Sequence, residues 1–219
     1  MSNTSVDVLI IGAGPSGCVA ASYLHNNGLK IKVVEKNKFP RFVIGESLLP
    51  RCMDHFDEVG LLECLKEQGF EIKNGARFLK DDLVCNFDFS KKHTKGWDWT
   101  WQVPRADFDK TLTDELIKNG VDVTFEEEVI GVVFNEDGTS VTTVKNKEEQ
   151  TNTINAKFII DSSGFGRVLP RLLDLDAPSA IPEHSSIFTH VKDIKRPKGK
   201  EGTLITFELI DKDTWFWVI

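Results

Sequence analysis

The chain has 219 residues, 40% hydrophobic and 28% charged, a composition that supports a packed core and excludes global disorder. Twenty-seven basic against thirty-four acidic residues give a formal net charge of −7, which lacks the basic face a nucleic-acid or anionic-membrane binder needs. No apolar run nears the roughly 20 residues of a transmembrane helix, and Cys18, Cys52, Cys64 and Cys85 show neither CxxC nor zinc spacing, so the expectation is no metal site and a reduced, cytoplasmic setting.

Val6 to Ile11 is a short apolar run rich in β-branched residues, the pattern of a parallel strand buried on both faces. It leads into Gly12-Ala13-Gly14-Pro15-Ser16-Gly17, and Cys18 to Asn27 then reads as a helix stopped by Gly28. A second apolar strand, Ile31 to Val34, ends in Glu35. Strand, G-x-G-x-x-G, helix, strand and acid, in that order, predict a dinucleotide site. Gly12 permits the tight turn, Gly14 lets backbone approach a pyrophosphate, and Gly17 lets helix pack on strand. The helix N-terminus offers free N–H groups and a positive dipole end to the phosphates, and Pro15 costs nothing in that first turn. Glu35 falls where a carboxylate grips ribose hydroxyls, and its charge disfavours a 2′-phosphate; Lys36, beside it, joins the cofactor-binding candidates. The alternative is a glycine-rich turn in an unrelated α/β protein. The motif alone does not separate FAD from NAD.

Further along, Leu48 to Gly60 and Leu61 to Gly69 read as helices, and Phe70 to Phe78 as a strand. Leu83 to Phe89 alternates like a half-buried strand, with a polar hairpin excursion following to Gly96. Trp97, Trp99 and Trp101 then fall at strand period, all on one face; core packing is the plain reading for such indoles. Ala106 to Asn119 reads as a helix capped by Gly120, and Val121 to Phe125 as a parallel strand. Glu128 to Phe134 and Ser140 to Lys145 form a ribbon around Asn135 to Gly138, and Thr153 to Ile160 re-enters the sheet to deliver the polar turn Asp161 to Arg167. After residue 177, Pro178, Pro182 and Pro197 mark a change of character, with strands expected over Ser185 to Val191 and Thr203 to Ile210. The expected architecture is α/β. A Rossmann-like dinucleotide domain spans 1–177, with an excursion near 76–100 towards a second domain. Residues 178–219 begin that second, antiparallel β domain.

Several segments carry a resemblance. Glu35 and the stretch Phe39-Pro40-Arg41 through Ile44-Gly45-Glu46-Ser47-Leu48-Leu49-Pro50 resemble the flavin-dependent halogenases. These belong to a larger group of aromatic-hydroxylase-like flavoproteins that includes geranylgeranyl reductases. Gln102-Val103-Pro104-Arg105 through Phe108-Asp109 is similar to a second segment of that group, and Asp161-Ser162-Ser163-Gly164 to a third. Trp215-Phe216-Trp217-Val218-Ile219 resembles the halogenase Trp-x-Trp-x-Ile-Pro signature before its proline. The resemblance implies FAD as cofactor, lined by Arg41, Gly45, Glu46, Ser47, Arg105, Asp161 and Gly164, with backbone near Val129 on the adenine. It also implies that the chain is the N-terminal part of a larger protein.

The reaction implied is halogenation of an electron-rich small molecule, using oxygen, halide and FAD reduced by a separate flavin reductase. Lys73 matches the lysine that would present the halogen, while Lys80 fits the spacing less well. Trp215 and Trp217 would wall the flavin from the substrate. The plain alternatives are a snorkelling surface lysine and core indoles. Two other functions stay open: an FAD-dependent monooxygenase or geranylgeranyl-reductase-like oxidoreductase, and a flavin-binding module without turnover of its own.

Overall fold

The computed structural model describes residues 3–219; Met1 and Ser2, the first residues of the expected 1–177 unit, lie outside the described residues. Strand β1 (Asn3–Ile11) sends Val8 and Ile10 into one core cluster, and Leu9 and Ile11 into another. All four are at most 7% exposed, which is why its apolar run is continuous rather than alternating. Helix α1 (Pro15–Asn26) starts with proline in its first turn, and the chain turns away where Gly28 takes φ +79°. Strand β2 (Ile31–Glu35) lies parallel to β1. Helices α2 (Pro50–Glu58) and α3 (Leu62–Lys66) bury Met53, Phe56, Leu62 and Leu65.

Next come the short strands β3 (Glu71–Lys73), β4 (Gly75–Lys80), β5 (Leu83–Asp88) and β6 (Thr100–Gln102). Helix α4 (Arg105–Lys118) packs Phe108, Leu112 and Leu116 into the cluster shared with α1, α2 and α3. Strands β7 (Asp122–Phe125), β8 (Glu127–Phe134), β9 (Ser140–Asn146) and β10 (Thr151–Asp161) follow, then helix α5 (Val168–Leu172) and strands β11 (Leu204–Leu209) and β12 (Trp215–Val218).

The main sheet has the order β7-β2-β1-β10-β9-β8. Its first three pairings are parallel, and β10-β9 and β9-β8 are antiparallel, so a Rossmann-like core continues into the expected ribbon. The Gly12 and Asp161 turns emerge at the carboxyl ends of β1 and β10, the end at which parallel α/β sheets bind ligands.

The structure departs from sequence expectation at several places. Phe70 to Phe78 is two strands, not one: β3 pairs with β6, while β4 joins β5 and β11 in a second sheet. The break falls at Asn74, whose N–H and side-chain amide bond Thr203. Gly75 lies so close to Phe87 that a Cβ there would sit 2.3 Å from a carbonyl oxygen. β5 is not half-buried, because Leu83, Val84 and Phe87 are all exposed. Ser185 to Val191 forms no strand; Ile187 and Val191 lie exposed, and Phe188 stacks on Phe42 with ring centroids 5.5 Å apart. The second sheet, β12-β11-β4-β5, has two antiparallel pairings as expected, but β11 runs parallel to β4.

Candidate functional site

The glycine turn between β1 and α1 is held by its neighbours. Gly12 N–H bonds Val34 O at 2.8 Å and Ser162 N–H bonds Ile11 O at 2.8 Å, so both parallel ladders run to the turn's edge. Gly12 has φ +99°, and a Cβ on it would lie 2.6 Å from Ser162 O. A Cβ on Gly17 would lie 2.0 Å from Gly12 O. Gly14 differs: the nearest atom to its Cβ position is Arg41 Nη2, at 4.0 Å. Two glycines therefore serve close packing, while the middle one leaves room for a ligand. No side chain caps α1, so its first-turn N–H groups remain for an anion. Ala13, Pro15 and Ser16 are parts of this same turn and first helical turn.

Glu35 is 5% exposed. Its Oε2 accepts the Ala13 N–H at 3.0 Å, and its Oε1 accepts the Asn37 N–H at 2.9 Å and the Asn37 side-chain amide at 3.0 Å. An ionised carboxylate offers about four lone-pair sites, so one position is left for a ribose hydroxyl. Sequence spacing does not show that Glu35 also ties the glycine turn to the end of β2. Lys36 is exposed.

Arg41 and Arg105 come from segments 64 residues apart and meet on one carboxylate. Asp109, 1% exposed, accepts from Arg41 Nη1 at 2.9 Å, from Arg105 Nε at 2.8 Å and from Arg105 Nη2 at 2.9 Å. Arg41 also lies over the Phe39 ring, 4.4 Å from its centroid. Arg105 Nη1 donates to Gly45 O at 3.2 Å, which fixes the loop of Gly45, Glu46 and Ser47. That loop is laid along β6: Val103 N–H bonds Glu46 O at 2.8 Å, and Ser47 Oγ bonds Gln102 Oε1 at 2.5 Å. Asp109 closes the segment that begins at Gln102; its signal is the i, i+4 spacing from Arg105 on the helix face that buries Phe108, Leu112, Thr113 and Leu116.

At the end of β10, Asp161 accepts the N–H groups of Ser163 at 2.9 Å and Leu169 at 2.8 Å. Its carboxylate shapes the turn and ties it to α5. Gly164 takes φ +56° in that turn. Val129 is buried in the same apolar cluster as Val34, beside an irregularity in β8 between Val129 and Gly131.

Lys73 is not a snorkelling surface residue: it is 1% exposed. It stands directly opposite Thr100 in the β3–β6 ladder, and the Thr100 hydroxyl is buried with no hydrogen-bond partner. No hydrogen bond or ion pair to the Lys73 amine is found among the described residues. Burial pushes its pKa below the usual lysine value, nearby Arg196 pushes the same way, and Glu71 opposes them. Trp215 and Trp217 lie on the edge strand β12, 42% and 62% exposed, with their rings 6.0 and 6.1 Å from Phe207. Lys73 sits in a different sheet from these indoles. Trp97, Trp99 and Trp101 form an edge-to-face ladder at 5.4 and 5.1 Å that packs against the first core cluster, the core role expected of them.

The chain matches the family described as FAD binding domain over residues 5–205. The chain belongs to that family. FAD is its cofactor, which settles the choice that the glycine motif leaves open. The residues present fit it: an open Gly14, uncapped helix N–H groups, a free position on Glu35 and a guanidinium beside the turn. A solved flavoprotein/dehydrogenase from Cytophaga hutchinsonii is 50% identical, with a TM-score of 0.89 over 98% of this chain and 52% of its own. The solved flavin-dependent halogenase CmlS is 30% identical, with a TM-score of 0.82 over 98% of this chain and 39% of its own. The 1H-pyrrole-2-carbonyl-(peptidyl-carrier protein) brominase of Pseudoalteromonas luteoviolacea is 29% identical over 98% of this chain. The chain spans about half (52%) of that brominase's length. No helix of the described residues is long and apolar enough to cross a membrane.

Proposed function

We propose that this protein is the cofactor-holding part of a flavin-dependent halogenase. It would act with a separate flavin reductase on an electron-rich, small-molecule or carrier-bound substrate, in the reducing cytoplasm that its four free cysteines fit. In this reading residues 1–177 hold FAD. Residues 178–219, with the excursion near 76–100, begin the substrate layer. Bound FAD supplies the oxygen and halide chemistry. The chain's own residues cradle the diphosphate at Gly12 to Gly17, hold the ribose at Glu35, and set Arg41, Arg105 and the loop of Gly45 to Ser47 along the cofactor. Trp215 and Trp217 wall it from the substrate.

One observation carries the reading: Lys73 is a buried lysine with no ion pair among the described residues, facing an unpartnered hydroxyl across a two-stranded ladder. A structural lysine pairs its charge or reaches water. An amine mostly withdrawn from water has a larger neutral fraction, and the neutral form can hydrogen-bond hypohalous acid or attack its halogen, the O–halogen bond breaking and hydroxide leaving as water with the amine's proton. Lys73→Ala in the complete enzyme is expected to abolish halogenation while FAD binding and flavin oxidation persist. Normal halogenation by this variant would remove the proposed mechanism's central residue. The 50% identity to a protein titled flavoprotein/dehydrogenase favours a second reading, an FAD oxidoreductase that consumes no halide. Turnover that is unchanged when chloride and bromide are omitted would select it.

A further inference from the structure

We infer that Asp109 is a positioning residue for FAD: it sets Arg41 beside the phosphate turn and Arg105 against the loop of Gly45 to Ser47, rather than merely neutralising them. This rests on FAD occupying the glycine turn, and not on the reaction that follows. A carboxylate 1% exposed receives three charge-assisted hydrogen bonds of 2.8–2.9 Å from two guanidinium groups. Arg105 supplies both of its forked donors; Arg41 supplies only Nη1. Arg41 Nη2 is thereby left over, and it is the atom nearest the open side of Gly14. Arg41 is held from a second side by the Phe39 ring. Arg105, held by the same carboxylate, spends Nη1 on Gly45 O. One buried acid thus fixes both the guanidinium beside the phosphate turn and the loop expected to line the flavin.

The net charge of the three side chains is +1, and this makes the inference testable by sign. If Asp109 were only a counter-charge, neutralising it would raise the local positive charge and tighten binding of a diphosphate. If it positions, two unpaired guanidinium groups repel, swing towards water and leave the turn, and binding weakens. Asp109→Asn keeps the volume but turns an amide N–H towards the arginine donors. Apo-protein of this variant would be titrated with FAD, following flavin fluorescence and the absorption band, over a range of salt concentrations. Affinity is expected to fall about tenfold or more. Its salt dependence is expected to become shallower, because a phosphate contact is lost although positive charge is gained. Arg41→Met is expected to cost FAD binding less in the Asp109→Asn background than in the native protein, because both act through one held unit.

Equal or tighter FAD binding by Asp109→Asn would overturn the inference. So would losses that multiply fully with an unchanged salt dependence, the result of a role in folding alone. Should Asp109→Asn fail to fold, Arg105→Lys replaces it in the same cycle, since it keeps the charge but cannot fork onto Asp109. A less than multiplicative loss with Arg41→Met is again expected, and full multiplication overturns the inference.

Discussion

Glu35 and Lys73 show what residue type and spacing reveal and what they leave hidden. The position of Glu35 after the glycine motif leads to the expectation of a ribose contact, and three hydrogen bonds from Ala13 and Asn37 leave one of its lone-pair sites unused. Its bonds to Ala13 and Asn37 were not legible, because backbone donors are not written in side-chain identity. A lysine in a short strand reads as a surface residue by composition, yet Lys73 is buried. Its burial has a measurable consequence. The amine's pKa lies below its ordinary 10.5 in the folded protein, so the unfolded chain binds this proton more readily. Stability therefore rises with pH between the lowered value and 10.5, and the charge is most destabilising below that window. Lys73→Met keeps the side-chain length without the charge. It is expected to raise the melting temperature near pH 7 by a few degrees, each kcal/mol being about 2–4 °C for a chain of this size. The advantage should shrink as the pH approaches 10.5. A melting temperature that Lys73→Met lowers at pH 7 would show that the amine has a stabilising partner, and a pH-independent difference would show that its charge is not what costs stability.

Elements with a local cause were readable: β1, α1, β2 and α4 each carry a burial pattern in their own residues and lie beside a punctuating glycine or proline, Gly12 after β1, Gly28 between α1 and β2, and Pro104 and Gly120 around α4. Elements set by a distant partner were not. The split of β3 from β4 depends on Thr203 and Phe87, and the irregular path of Ser185 to Val191 goes with the stacking of Phe188 on the distant Phe42. The glycine turn allows a sharper test of the same distinction. Gly17→Ala places a methyl group 2.0 Å from a backbone oxygen and is expected to destabilise the apo-protein by about 1–3 kcal/mol or more. At Gly14 the backbone is extended, with φ −71° and ψ −178°, and the Cβ position is open to 4.0 Å. Gly14→Ala should leave apo stability within about 0.5 kcal/mol yet weaken FAD binding about tenfold or more. Denaturant unfolding and FAD titration of both variants separate the two roles. Undiminished FAD affinity in Gly14→Ala would mean that the diphosphate does not approach that glycine.

At the scale of the whole molecule, the apolar patterns locate inner faces but not what they face. The main sheet buries both of its sides in two clusters. The second sheet does not. Across it Trp217, Phe207 and Phe78 stand in register, with centroids 6.1 and 5.5 Å apart. Phe78, Leu83, Phe87, Trp215 and Trp217 are all more than 40% exposed. A contiguous aromatic surface of this kind is uncommon on a soluble domain and binds apolar probes. The five tryptophans therefore form two optical classes in this 219-residue chain: the ladder Trp97, Trp99 and Trp101 packed on the core, and Trp215 and Trp217 in solvent. Acrylamide is expected to quench a red-shifted component strongly and a blue-shifted one weakly. Replacing Trp215 and Trp217 together by Phe should remove the strongly quenched component and leave the other. The pair Phe78→Thr and Trp217→Thr should sharply reduce binding of the apolar dye ANS, because it removes both ends of the row and leaves Phe207 alone. Uniformly weak quenching of all five indoles would show that this face is covered in solution, and dye binding that survives the paired substitution would show that the dye binds elsewhere.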